Sequence, residues 1–263
     1  MSYLTTIRQS QMNTLLRCPA QFEFRYIRGL YIPPGIAAHR GTAIHRPAQA
    51  NSLHKLDCGE DLPLDYLTDM AADSFRYSVE EKGVFVPKSQ VPGAKNLLGE
   101  AKDQAVRLTR LFRQEVAPTF WPKLVEERMI VDLGVGAPIE GALDLVTMKE
   151  QVWDYKSAAK SYNPDQAHKS LQLTFYAVLY KLKYGRWPEE LTLVVLVDTK
   201  TPKVQPLPTR RNEAHLPAFA DRLKLALKQV NLGLFPPCDP TNWWCSEAWC
   251  VYWHICKYAP KTL

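Results

Sequence analysis

Asp144, Asp154 and Lys156 are the residues of this chain whose types and spacing could do chemistry together. On a β-strand, side chains two apart share a face. In VWDYK (152–156), Asp154 and Lys156 therefore project together while Trp153 and Tyr155 point the other way. Asp144 lies in the preceding stretch, EGALDLV (140–146), and the short KEQ turn makes the two stretches antiparallel neighbours. Two carboxylates from adjacent strands can converge on one divalent cation, since a hard ion such as Mg²⁺ prefers oxygen ligands and keeps waters. A lysine beside them can meet an anionic substrate. The chemistry that fits is phosphodiester hydrolysis, with Lys156 orienting the attacking water or offsetting developing charge. Standing alone, Asp-x-Lys is common by chance. It then reads as two turn-forming aspartates with a solvated lysine partner.

The elements that must position these residues can be read from periodicity. Residues 10–28 predict a helix that Pro19 kinks or restarts, and 38–54, 63–82 and 96–116 predict three more. Residues 124–133, 138–148 and 152–156 read as three strands, with Gly134 and Gly136 supplying the first turn. Residues 164–184 return to helical spacing and are long enough for a crossover. LTLVVLV (191–197) suits a buried central strand, and 212–232 a last helix. The expected fold is α/β with a mixed central sheet flanked by helices. One domain over 1–263 is expected. It divides into a mainly helical part (1–120), an α/β core (121–233) and a Cys-rich tail (234–263).

Composition limits the alternatives. Of 263 residues, 46% are hydrophobic and 23% charged, enough for a full core. The excess of 33 basic over 27 acidic residues suits a polyanionic partner without requiring one. Arg107, Arg110, Arg113, Lys181, Lys183, Arg210, Arg211, Arg222, Lys224 and Lys228 read equally well as solvated helix faces. No apolar run approaches a membrane span, and the polar N-terminal stretch lacks a signal core, so a cytoplasmic protein is expected.

GTAIH (41–45), VEE (125–127), EGALDLV (140–146), VWDYK (152–156) and LQLTFYA (171–177) follow one another in an order that resembles the PD-(D/E)XK nucleases. The resemblance spans nearly the whole chain and points to the RecB-like exonuclease branch. That branch holds the nuclease domains of RecB and AddB, CRISPR-associated exonucleases and phage-encoded nucleases. It implies a restriction-endonuclease-like core and a Mg²⁺- or Mn²⁺-dependent DNA exonuclease of a bacterial or phage-infected cell. Implied settings are recombination, repair or phage DNA processing, with a helicase, recombinase or single-strand-annealing protein as partner. His45, Asp144, Asp154 and the Tyr155 backbone carbonyl match the family's metal ligands, and Lys156 its catalytic lysine. Glu126 or Glu127 matches a further acidic residue, with Glu126 favoured. Gln172 and Tyr176 match the branch's Q-x-x-x-Y pair, which shares a helix face and could reach DNA. A structure-specific endonuclease and a catalytically idle nucleic-acid-binding module are the alternatives.

The six cysteines are lopsided: Cys238, Cys245, Cys250 and Cys256 crowd the tail, while Cys18 and Cys58 stand near the start. Without secretion, metal ligation is a better reading than disulfides. The resemblance implies a [4Fe–4S] cluster on Cys18, Cys245, Cys250 and Cys256, with Cys238 and Cys58 as bystanders. His254 keeps a structural Zn²⁺ site open as the alternative.

Overall fold

The computed structural model describes residues 4–259. A two-residue strand β1 (Ile7–Arg8) runs straight into helix α1 (Gln9–Arg17). The chain breaks at Cys18, which is extended, and Pro19 restarts it as α2 (Pro19–Phe22), where a missing N–H costs nothing at a helix start. A π-turn (Glu23–Ile27) follows. Three helices come next: α3 (Ile36–Cys58), α4 (Leu64–Lys82) and α5 (Ala94–Leu111). The strands β2 (Pro122–Val131), β3 (Ile139–Thr147) and β4 (Gln151–Ala158) lie close to their expected places. The expected helix 164–184 is two helices, α6 (Asp165–Lys169) and α7 (Leu171–Tyr184), split at Ser170. Ser170 is extended and caps α7, its hydroxyl accepting the Leu173 N–H at 3.1 Å. Strand β5 (Glu190–Val197), strand β6 (Lys203–Thr209) and helix α8 (Leu216–Asn231) complete the core.

The sheet is mixed. Strand β2 pairs antiparallel with β3, β3 with β4, and β5 with β6, while β4–β5 and β1–β3 are parallel. Helices α6 and α7 make the β4–β5 crossover. One side of the sheet packs on α7 and α8 through Phe175, Leu179, Phe219 and Leu223, and the other on α3, α4 and α5 through Ile44, Phe75 and Leu108. Central β5 shows why both layers are needed. Leu193, Val195 and Val197 enter one cluster, and Val194 and Leu196 the other.

The β3–β4 pairing is short, limited to Leu145↔Trp153 and Val146↔Val152. Beyond it the strands fork. A strand has two edges, and β2 occupies one edge of β3 along its length. Strand β1 therefore fills the edge that β4 leaves, pairing Ile7↔Ile139 and Arg8↔Glu140. Glu140 fastens this wedge: its carboxylate accepts from Thr6 Oγ1 at 2.7 Å and pairs with Arg8 and Arg128 at 3.1 and 2.6 Å.

Gly141, on β3 above the fork, lies against α7. A Cβ there would stand 2.7 Å from Leu179 Cδ1 and 3.3 Å from Phe175 Cε1, both on fully buried side chains. Removing a glycine normally favours the folded state by ~0.4–1 kcal/mol through the unfolded chain. Overpacking costs about 1–3 kcal/mol and wins here. Gly141→Ala should lower stability by about 1–2 kcal/mol, read as a lower denaturation midpoint with unchanged slope.

Candidate active site

Regular strands keep one face, but β2 and β3 both change phase at one rung. On β3, Leu143 packs with α7 whereas Leu145, two residues on, packs with the α3 layer. On β2, Met129 packs with the α7 side and Val125 with the α3 side. The register is continuous, Val125↔Leu145 and Glu127↔Leu143, so Glu126 stands opposite Asp144 at the step. The backbone device is visible: Glu126 has φ +50, a left-handed conformation rare for a non-glycine residue and costing of order 1–3 kcal/mol. The step separates the two glutamates. Glu126 joins Asp144, whereas Glu127 accepts the Tyr184 hydroxyl at 3.0 Å on the α7 side.

Helix α3 delivers His45 to this pair. One ligand atom each from His45, Glu126 and Asp144 lies within 4.8 Å of the others. The Nε2 of His45 stands 2.9 Å from the Tyr155 carbonyl, and Nδ1 stands 3.4 Å from Asp144 Oδ2. If Nε2 carries the proton for that carbonyl, Nδ1 keeps its lone pair toward the carboxylates, the usual way a ligating histidine is oriented. The carbonyl retains a second lone pair. Asp144 also spans the fork, accepting the Tyr155 N–H at 3.0 Å. The Tyr155 ring faces away into the α3 layer, edge-on to Phe112.

Asp154 is 1% exposed, projecting from β4 toward α7 with Lys156 on the same face. Its two oxygens are engaged: Gln172 Nε2 donates to Oδ1 at 2.9 Å, and Lys156 Nζ stands 2.7 Å from Oδ2. It therefore lies beside the His45–Glu126–Asp144 trio rather than within it. Burial, opposed by Lys156, pushes the Asp154 carboxyl up to about 6. The same Gln172 amide reaches the Tyr176 hydroxyl at 2.9 Å. Tyr176 is buried, and its hydroxyl meets the site through Gln172.

Lys156 and Gln172 also line a groove of about 440 Å³ with Tyr162, Asn163, Lys169 and Ser170. The Ser170 break that opens this corner is held by a residue whose role the sequence hides. Arg211 is not on a solvated face but buried, 4% exposed. Its guanidinium donates to the carbonyls of Ala167, His168 and Ser170 at 3.0, 2.9 and 3.3 Å and to Thr174 Oγ1 at 2.8 Å. It satisfies the end of α6 and pins the start of α7, one turn from Gln172.

Away from this site, Cys18, Cys238, Cys245, Cys250 and Cys256 all line one cavity, with Gln21 and Trp244. Cys238, expected as a bystander, lines this cavity with the other four. Cys58 stands apart, exposed at the end of α3. His254 does not line the cavity and lies 3.6 Å from Glu247.

A three-layer α/β fold with clustered carboxylates, a histidine and a lysine at a sheet fork is an arrangement able to hold a divalent cation beside an anionic substrate. The chain belongs to the PD-(D/E)XK nuclease superfamily, whose family model matches residues 6–257. Among solved structures, it is similar to a candidate exonuclease from Eubacterium rectale, with TM-score 0.61 and 12% identity. That alignment covers 92% of this chain and 87% of the other, and at such identity it bears on the fold alone. It also aligns with SSO0001 at TM-score 0.41 and 16% identity, covering 98% and 88% of the two chains, a likeness that carries no argument. No curated protein matches the chain in sequence. Among the described residues, no helix is long and apolar enough to cross a membrane.

The donor set fits a hard divalent cation. Carboxylates this close repel, and the Glu126 carboxyl is pushed up to about 7, by burial first and then by Asp144. Its folded pKa lies above the ordinary value, so the metal-free protein loses stability as pH rises from about 4.5 to about 7. Glu126→Gln should remove that penalty. At pH 7.5 in chelator it should raise stability, by on the order of 1 kcal/mol after discounting for partial exposure. Mg²⁺ should raise the melting temperature of wild type at pH 7.5 more than at pH 5.5, and that of the variant little at either. Equal Mg²⁺ shifts in wild type and variant would remove Glu126 from the centre.

Proposed function

We propose that this protein is a Mg²⁺- or Mn²⁺-dependent DNA exonuclease of the RecB-like branch, acting on single strands or duplex ends. The observation that carries this reading is the convergence of His45, Glu126 and Asp144 at the strand fork, with Lys156 beside them on Asp154. Nucleic acid as substrate follows from the family. The exonuclease assignment rests on the motif order, above all Gln172 and Tyr176.

His45, Glu126 and Asp144 would hold the cation, with Asp154 and the Tyr155 carbonyl adjoining. A divalent cation supplies charge neutralisation at the phosphate and makes water a better nucleophile at neutral pH. The chain's own residues do the rest. Lys156 presents a cation at the mouth of the groove, where it can orient water or meet charge developing on the phosphate. Gln172 fixes the Asp154 carboxylate through Oδ1, so Lys156 has one defined partner oxygen. Tyr176, kept protonated by burial, fixes the Gln172 amide in turn. The groove past Tyr162 and Lys169 offers a path for a strand leaving the site.

For the cysteine cavity we propose a [4Fe–4S] cluster that staples the α1–α2 junction to the tail. Among the described residues, no three thiol sulfurs come within 4.8 Å of one another. A tetrahedral zinc ion with Zn–S of ~2.3 Å needs sulfurs only about 3.8 Å apart. A ring of thiols around a cavity suits a polynuclear group better.

Asp144→Ala, Asp154→Ala and Lys156→Ala should each lower Mn²⁺-dependent cleavage of end-labelled DNA by roughly 10²-fold or more, while binding in Ca²⁺ largely survives. Wild-type rates in any of the three would reject that residue's assignment. An exonuclease should degrade a linear strand and spare a covalently closed circle of the same sequence. Cutting of both at equal rates would instead mark an endonuclease.

A further inference from the structure

No lysine, arginine or histidine lines the cysteine cavity beside its thiols. Thiolates gathered there have no side-chain cation to offset their charge, so N–H dipoles must do so. Two side chains of the lining supply them.

Gln21 is the first. It is buried on α2, and its Nε2 donates to Cys250 Sγ at 3.2 Å. Arg17 Nη2 donates to its Oε1 at 2.8 Å, which fixes the end of the amide that faces the sulfur. Arg17 closes α1 and Gln21 lies in α2, so this bond spans the break at Cys18. One corner of the chain thus gives the cavity a thiol and a donor to a second thiol. Taking an amide N–H out of water is costly unless it meets a good acceptor. A neutral thiol is a weak acceptor, whereas hydrogen bonds to ionised groups are roughly twice as strong as neutral ones. Gln21 therefore suits a Cys250 held as the thiolate, the form that binds metal.

Trp244 makes the same case from the tail. It lines the cavity, and its indole N–H is buried with no hydrogen-bond partner among the described residues. An indole can only donate, and a buried donor in a folded protein calls for an acceptor. The turn that bonds the Cys245 N–H to the Asn242 carbonyl at 2.8 Å carries Trp244 within it.

We infer that Gln21 and Trp244 are hydrogen-bond donors to the sulfurs of the group held in this cavity, Gln21 to the Cys250 thiolate and Trp244 to a sulfur of the group itself. This rests on the iron–sulfur reading above. Both are positioning residues, since neither binds iron. A hydrogen bond to sulfur draws charge away from it, which favours the more reduced cluster and steadies its ligands.

The test uses anaerobically purified full-length protein, read by iron content, visible absorption and the midpoint potential of the cluster. Gln21→Leu and Trp244→Phe each remove the N–H and keep an apolar body, so both should retain near wild-type iron. Each should titrate at a lower potential than wild type, and the double variant lower than either. An unchanged potential in one variant overturns the inference for that residue. Wild type reports independently where a variant fails to fold. With ¹⁵N in the tryptophan indoles, or in the glutamine side-chain amides, the reduced cluster should show nitrogen hyperfine coupling by pulsed electron paramagnetic resonance. A label that gives no coupling overturns the role of that residue. Iron-free wild type that still shows Asp154-dependent cleavage would remove the cluster reading and this inference while leaving the nuclease assignment standing.

Discussion

A carboxylate almost wholly out of water, Asp154, is the constraint around which the site is arranged. An ion in that position costs several kcal/mol unless its oxygens are met by charge or hydrogen bonds. Both are met here, by Lys156 on the same strand and Gln172 from α7. Those partners in turn dictate the surroundings. Gln172 must stand at the first turn of a helix that begins where it does, so the crossover has to break at Ser170. The break exposes carbonyls at the end of α6, and Arg211 satisfies them. A buried guanidinium more than forty positions along the chain is thus a consequence of where one aspartate sits.

The second carboxylate group works by a different logic. Glu126 and Asp144 have no lysine between them, and their repulsion remains in the metal-free protein. Strain is added to it, because Glu126 reaches its place only through a left-handed backbone. A protein retains such a combination where another force repays it. A divalent cation would relieve the repulsion and give the strained conformation a use. Asp154 is satisfied in advance, whereas the trio is held open for a partner.

The sequence made much of this legible because periodicity reports burial. The LTLVVLV run, the VWDYK alternation and the long amphipathic helices follow from which faces meet the core. What stayed hidden depends on contacts between distant segments. The shared phase step on β2 and β3 is invisible to a strict two-residue pattern, so Glu126 and Glu127 could not be separated by alternation. Strand β6 carries Pro206 and Pro208, residues that argue against a central strand but are tolerated on the sheet edge that β6 occupies. Arg211 resembled every other surface arginine. Only Ser170, a capping residue before an apolar helical run, carried a local sign of its role.

The junction of β1 with α1 has a mechanical meaning. The strand that wedges the fork ends at Arg8, the helix begins at Gln9, and the first cavity cysteine follows at the helix's far end. Nine helical residues make a strut of about 14 Å, stiff at its length and anchored at both ends. Glu140 bolts one end to β3, four residues from Asp144, and the thiol cavity grips the other. The tail and the fork are then joined through one short helix, whose two ends touch the thiol cavity and the strand that carries the aspartate.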